Sequence, residues 1–428
     1  MDKLVIRGGA ALSGTVRIGG MKNAALPILY ACVLVKGKCV IENVPDVRDV
    51  TMSIDILRDM GANIVRTDDT TYEIDCTDVR QGTSRPELVQ RLRASYYLLG
   101  AELGRFGRAH VSLPGGCNFG GSRPIDQHVK GFQALGAEVN LDEKAGEVDC
   151  FAPNGVIGDD VFFDTVTVGG TMNIMLAAVT AKGNTMIENA AREPHIVDLA
   201  NFLNTCGARI SGAGTDVIKI RGVRELHGSN YAIIPDMIEA GTYMIAAAAT
   251  GGCVKVDNVI PKHLEAITAK LEDVGVIVEE LDDAVIVTGR GQVKATRLKT
   301  RPYPGFPTDM HPQMSAMLTR AHGTSIVVEG VYENRFKYAD ELRKMGADIT
   351  VNGHTAVISE VDALHGAEVE AVDLRAGVAM VIAGLIAEGE TTITNIGYIE
   401  RGYDDVVGKL TALGADIKKV TCPDGTSS

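Results

Sequence analysis

Between residues 112 and 126 the chain reads SLPGGCNFGGSRPID, and one thiol, Cys117, sits there among glycines and prolines with Arg123 close behind it. No helical or strand period survives so many breakers, so the stretch is a loop. A thiol beside cations has its thiolate favoured. It then acts as a nucleophile or, when protonated, as a general acid. The alternative is an inert thiol in a flexible loop, and no Cys-His or Ser-His-Asp spacing decides between the two.

Other polar residues cluster at turns. In segment 19–27, GGMKNAALP, two glycines feed a helix start that carries Lys22 and Asn23. A Gly-rich turn before a helix N-terminus offers backbone N–H groups to an anion, and Lys22 adds a full charge; a solvated lysine is the plain alternative. Arg91 and Arg93 precede an apolar helix, against its dipole. Thr165-Val166-Thr167-Val168 runs into Gly-Gly and another helix start. A second breaker-rich loop, 302–312, carries Asp309 near its exit. That carboxylate either accepts a proton from a substrate hydroxyl or caps a following helix over 313–320. Arg335, Arg375 and Arg401 each stand at a break between strand and helix. Guanidiniums bind carboxylates and phosphates through a planar fork, so several at comparable turns suit a small anionic ligand.

The elements that position these residues repeat. The phrase apolar-x-x-apolar-Gly-Ala-x-apolar recurs as LRDMGANI (57–64), FQALGAEV (132–139), LNTCGARI (203–210), LRKMGADI (342–349) and LTALGADI (410–417), and a sixth time, with Val for the Ala, as LEDVGVIV (271–278). It predicts a helix that ends, a glycine just past it and a β segment. The period is about 70 residues, too even for chance. A second shared piece, a glycine turn and a β-branched strand, starts at Gly37, Gly183, Gly323 and Gly389. Ala-rich runs over 24–35, 171–181, 240–249 and 376–387 read as helices hydrophobic nearly all round. Six units of helix, strand, helix and strands divide into two domains of three, with helices inside and sheets outside.

Composition limits the function classes. A net charge of −13 and 5% aromatic residues argue against a nucleic-acid partner. Eight scattered cysteines without a C-x-x-C pair or a His cluster predict neither zinc nor a disulfide framework. No stretch is apolar and long enough for a membrane span, and the charged opening MDKLVIR does not read as a secretory signal, so a cytoplasmic location is expected.

With segments 19–27, 113–117, 123–126, 189–194 (NAAREP), 303–309 (YPGFPTD), 334–336 (NRF), 373–375 (DLR) and 401–403 (RGY) in hand, the chain resembles the UDP-N-acetylglucosamine enolpyruvyl transferases over nearly its whole length. The resemblance implies an α/β, two-domain inside-out α/β barrel of six βαβαββ repeats, three per domain. Residues 22–229 would form one domain, carrying the Cys117 loop, and 1–21 with 230–428 the other, with ligands bound in the cleft. It implies phosphoenolpyruvate and UDP-N-acetylglucosamine as substrates, an addition–elimination that releases phosphate, a role in peptidoglycan synthesis and sensitivity to fosfomycin, with no cofactor and no metal.

By the same resemblance Lys22, Arg123 and Arg401 hold the phosphate, with Asn23 beside it, and Arg335 and Arg375 lie near the carboxylate. Cys117 is the general acid and the site of a reversible adduct; Asp309 takes the proton of the sugar hydroxyl. Arg93, Arg123, Pro124, Ile125, Asp126, Gln127, Thr165, Val166, Thr167, Val168 and Val331 contact the nucleotide sugar. Asp49 and Asp373 match polar positions of the cleft without a step of their own. One departure stands out: five residues, NFGGS, separate Cys117 from Arg123, where the family has four. The rival readings are a shikimate-pathway enolpyruvyl transferase, which lacks the Cys loop, and a non-catalytic paralogue that binds a UDP-sugar.

Overall fold

A computed structural model describes residues 2–82, 86–90, 92–112, 125–142, 144 and 146–421. The chain divides into two compact units. One holds 20–112 and 125–234, the other 2–19 and 235–421, among the described residues.

In the first unit the central helices are Lys22–Ala31, Tyr97–Phe106 and Val168–Ala178. Val168–Ala178 is buried from Gly170 onward, as an Ala- and Met-rich sequence without a polar face requires. Its approach to Tyr97–Phe106 depends on Gly100: a Cβ there would lie 2.4 Å from the Asn173 carbonyl oxygen, and the Gly100 N–H donates to Asn173 Oδ1 at 2.9 Å. In the second unit Met237–Ala249, His311–Leu318 and Leu374–Ile386 play the same part, and every residue of Leu374–Ile386 is buried.

Sheets flank the helices. Among the described residues five have four strands, one, formed by Arg108–Ser112, Glu138–Asp142 and Glu147–Phe151, has three, and Val35–Lys36 with Leu226–His227 makes a two-stranded one. A typical sheet sets one edge strand parallel to its neighbour and closes with an antiparallel pair, as Arg297–Lys299, Thr324–Val328, Thr355–Ser359 and Asp348–Asn352 do. The opening strand Asp2–Arg7 pairs antiparallel with both Glu390–Thr394 and Asp416–Thr421, so it completes the last repeat. Strand Asn230–Ala232 pairs with Lys38–Glu42, which carries the first unit past residue 229 to Ile234. The architecture is the expected inside-out α/β arrangement, with apolar helices enclosed by sheets.

The repeat phrase has a uniform backbone. All six marker glycines, from Gly61 to Gly414, take φ between 82° and 103°, the left-handed region open to glycine. No helix among the described residues is long and apolar enough to cross a membrane.

Candidate functional site

In the first unit, Lys22 is the opening residue of its helix. A cation there opposes the helix dipole. Asp49, in the first turn of helix Arg48–Asp59, answers it: Lys22 Nζ lies 3.0 Å from Asp49 Oδ2, with the carboxylate side chain only 4% exposed. Asp49 therefore steadies this lysine. The glycine before the turn has a steric reason, since a Cβ on Gly20 would sit 1.7 Å from the Asn43 carbonyl oxygen. The Met21 N–H is already committed to the Ile234 carbonyl at 2.7 Å, so it is not a donor to an anion. Asn23 follows on the helix, half-buried.

Gln127 joins two of the expected sugar-contacting segments. Its Nε2 donates to Asp126 at 2.8 Å and to Asp164 at 3.3 Å, and its Oε1 accepts from the Asp164 N–H at 3.0 Å. Ile125, Asp126 and Gln127 at the start of helix Asp126–Ala134 are thereby fixed beside Thr165–Val168. Thr165 and Val166 are exposed, and Thr167 caps the next helix by accepting from the Gly170 N–H at 3.2 Å. Arg93 opens the turn Arg93–Tyr96 and stacks 5.6 Å from the Tyr96 ring centre. Burial and then the Arg93 charge push buried His128 down to about 4, so its imidazole is neutral at pH 7. Cys117, Arg123 and Pro124 lie outside the described residues.

The second unit gathers the acid and arginines. Asp309 stands in the turn Thr308–Met310 and does not cap the helix after it; that helix begins at His311, with Pro312 in its first turn, and has no side-chain cap. Both carboxylate oxygens are held by guanidiniums. Arg335 Nη2 donates to Oδ1 at 2.5 Å, and Arg375 donates to Oδ2 through Nε at 3.2 Å and Nη2 at 3.0 Å. The two arginine side chains are 2% and 5% exposed, and that of Asp309 is 26% exposed. Burial raises the Asp309 carboxyl pKa, but the Arg375 and Arg335 charges outweigh it and hold the group well below the usual carboxylate range.

Each arginine is braced in turn. Arg335 lies 5.2 Å from the Tyr332 ring centre, and its Nη1 donates to Thr308 Oγ1 at 2.8 Å. Arg375 lies 5.5 Å from the ring of Tyr403, whose hydroxyl is 2.9 Å from Thr242 Oγ1. Asp373 caps helix Leu374–Ile386, accepting from the Arg375 and Ala376 N–H groups at 2.8 and 2.9 Å. This gives Asp373 a definite task, setting the backbone from which Arg375 projects. Arg401 closes the short helix Ile396–Arg401, half-buried, two positions before Tyr403. Val331 is 38% exposed, with its N–H tied to Glu329 Oε1 at 2.7 Å. Sequence reasoning gave no role to Thr308, although it lies in the breaker-rich loop 302–312, nor to Glu329, Tyr332 and Tyr403, which brace the arginines from outside that loop.

A carboxylate between two desolvated guanidiniums, with aromatic faces behind them, can exchange partners with an incoming anion. Comparison with known proteins narrows the anion. The family profile of EPSP synthase (3-phosphoshikimate 1-carboxyvinyltransferase) matches residues 6–410. The UDP-N-acetylglucosamine 1-carboxyvinyltransferase of Clostridium botulinum is 54% identical over 421 residues, 98% of this chain and 100% of the relative. The Halothermothrix orenii protein of the same name is 51% identical, over 98% of this chain and all of its own. Among solved structures, the enolpyruvyl transferase NikO from Streptomyces tendae superposes with a TM-score of 0.88 at 26% identity, covering 99% of both chains. An EPSP synthase from Acinetobacter baumannii, at 19% identity and a TM-score of 0.76 over 99% of this chain and 100% of its own, shares the fold. Matched over nearly its full length by profile, sequence and structure, the chain belongs to the EPSP synthase family of enolpyruvyl transferases.

Proposed function

We propose that this protein transfers the enolpyruvyl group of phosphoenolpyruvate to the 3′-hydroxyl of UDP-N-acetylglucosamine and releases phosphate, an early step in making peptidoglycan. The observation that carries the reading is near-full-length identity of about one half to relatives bearing the name of that activity. The site chemistry supports it, since phosphoenolpyruvate brings a carboxylate and a phosphate and so needs several cations.

In this reading Lys22, Arg123 and Arg401 take the phosphate, Asn23 flanks it, and Arg335 and Arg375 take the carboxylate. Cys117 delivers a proton to the methylene carbon of phosphoenolpyruvate. The sugar hydroxyl oxygen then bonds to the neighbouring carbon while Asp309 accepts the hydroxyl proton. Elimination removes a proton from the new methyl group, breaks the carbon–oxygen bond to phosphate and restores the double bond. Clustered guanidiniums stabilise the charge that leaves with phosphate. Arg93, Arg123, Pro124, Ile125, Asp126, Gln127, Thr165, Val166, Thr167, Val168 and Val331 seat the nucleotide sugar. No metal enters the scheme, and a cytoplasmic location, where nucleotide sugars are made, belongs to it.

The test is phosphate release from phosphoenolpyruvate in the presence of UDP-N-acetylglucosamine. Release with shikimate 3-phosphate in its place would point to the rival transferase, and binding of the UDP-sugar without turnover to a non-catalytic paralogue. Fosfomycin should add one covalent mass to the chain and none to Cys117→Ala; an adduct on the variant would remove Cys117 from its role.

A further inference from the structure

The repeats provide an internal standard for reading a residue that departs from them. Six positions after the turn glycines Gly37, Gly183, Gly252 and Gly389 stand Asn43, Asn189, Asn258 and Asn395. Each takes a left-handed φ between 55° and 59°. Three of them donate their side-chain amide to a backbone carbonyl: Asn43 to Ile233 and Asn189 to Phe163, both at 2.8 Å, and Asn258 to Ile18 at 2.6 Å. The repeat thus uses this position to fasten neighbouring backbone. In the fifth unit, the same step from Gly323 arrives at Glu329 instead, and Glu329 has no left-handed backbone.

Glu329 is 2% exposed, and both of its oxygens are used. Oε1 accepts the N–H groups of Val331 at 2.7 Å and Tyr332 at 3.0 Å. Oε2 accepts the Thr308 hydroxyl at 2.8 Å and lies 3.1 Å from His311 Nε2. Burial lowers the His311 pKa, and its Nε2 stands at ion-pair distance from the carboxylate without the alignment of a hydrogen bond. On the far side of the ring, Nδ1 hydrogen-bonds the Tyr338 hydroxyl at 3.1 Å, and that hydroxyl lies 2.8 Å from Ser315 Oγ. Three donors hydrogen-bond the carboxylate, two backbone N–H groups on Oε1 and the Thr308 hydroxyl on Oε2. With its hydroxyl proton committed to Glu329, Thr308 turns its lone pairs to Arg335 Nη1 at 2.8 Å, and Arg335 reaches Asp309 with Nη2.

We propose that Glu329 is a positioning residue of the transferase site: through Thr308 it sets the Arg335 guanidinium on Asp309, and through the Val331 and Tyr332 amides it sets the turn that presents Val331 and the Tyr332 ring. The proposal rests on the transferase reading given above. Glu329 touches no reacting atom. It takes a position that three other repeats spend on fastening backbone and uses it to orient a cation. Glutamine there can keep its oxygen on the Val331 and Tyr332 amides only by turning its N–H₂ toward Thr308, where it competes with Arg335 Nη1 for the hydroxyl lone pairs and leaves the hydroxyl proton without its acceptor.

The test uses the full chain and a double-mutant cycle on Glu329→Gln and Thr308→Val, with thermal unfolding followed alongside. A misplaced charged group costs on the order of 100-fold in rate. Each single variant is therefore expected to lose about that much in kcat/KM while remaining folded, and the double variant to lose no more than the worse single, because both break one relay. Thr308→Ser, which keeps the hydroxyl, should retain activity. Kinetic losses that multiply in the double variant, a Glu329→Gln within about twofold of wild type, or a Thr308→Val as active as Thr308→Ser would each overturn the proposal; the last comparison stands even where Glu329→Gln does not fold. A wild-type chain that releases no phosphate would sink the transferase reading alone. Glu329 is then read by ¹⁵N relaxation of the Arg335 guanidinium, whose rotation should be restricted in wild type and freed in Thr308→Val; unchanged rotation would refute the relay.

Discussion

Asp309→Asn tests the central geometry without changing its shape. The wild-type carboxylate faces Arg335 at 2.5 Å and Arg375 at 3.0 and 3.2 Å. The amide keeps one acceptor and turns two N–H donors toward guanidinium donors, and it leaves two nearly buried cations facing each other. Removing one member of a buried ion pair costs about 3–5 kcal/mol. The Asp309 side chain is 26% exposed, so the low end applies, about 3 kcal/mol. For a unit of this size that is ~6–12 °C in midpoint temperature. Where the two units unfold in separate transitions, only the one containing 235–421 should move. The folded-state pKa of Asp309 lies below its ordinary 3.8, so its stabilisation is complete above that value and declines as pH falls beneath it. Each pH unit below 3.8 should narrow the gap between wild type and variant by ~1.4 kcal/mol. Urea titrations at pH 7 and pH 3 read both effects. A variant as stable as wild type at pH 7, or a gap of the same size at both pH values, would show that the two arginines do not clamp this carboxylate.

Lys22→Ala should cost about 3 kcal/mol as well as activity, because it takes the cation from beside an Asp49 side chain that is 4% exposed. Adding Asp49→Ala should recover most of the stability and none of the turnover; equal stability of the single variant and wild type would refute the pairing. Glu102 is 1% exposed and accepts from the Gly82 and His110 N–H groups at long distances of 3.3 and 3.4 Å, and burial raises its pKa from 4.5 to about 7. The folded chain therefore holds a proton that the unfolded chain has released. Stability should fall by up to ~3 kcal/mol as pH rises from 4.5 to 7. Glu102→Gln should flatten that slope in urea midpoints taken at pH 5 and pH 8, and an unaltered slope would assign it to other groups.

The fold was legible because its signals are local and repeated. A glycine that must follow a helix takes its left-handed φ at all six markers, and Ala-rich runs without a polar face became enclosed helices. The polar site was legible only as separate residues. Asp309 is 26 positions from Arg335 and 66 from Arg375, and no period of the chain relates them. The choice between a capping and a free carboxylate at Asp309 could not be made without knowing what lay across from it. Asp49 and Asp373 were visible as polar residues, yet their tasks, pairing Lys22 and capping the Arg375 helix, depend on neighbours that only folding supplies. Glu329 did leave a trace in the sequence, an acid where four other repeats have asparagine. Such departures become informative once the repeats are aligned on their turn glycines.

The clamp on Asp309 also bears on how the proposed reaction must run. A carboxylate whose pKa is held far below the ordinary range by two guanidiniums is a weak base, and a sugar hydroxyl gives up its proton reluctantly to such a group. The same two arginines are the ones assigned to the carboxylate of phosphoenolpyruvate. Each charge that the substrate shares with Arg335 or Arg375 withdraws part of the field on Asp309 and raises its basicity. Substrate binding and activation of the base are then one electrostatic event, and Asp309 gains proton affinity only when the enolpyruvyl donor is in place. The relay from Glu329 through Thr308 keeps Arg335 in reach of both partners during that exchange, which is why a residue that touches neither substrate is expected to govern the rate.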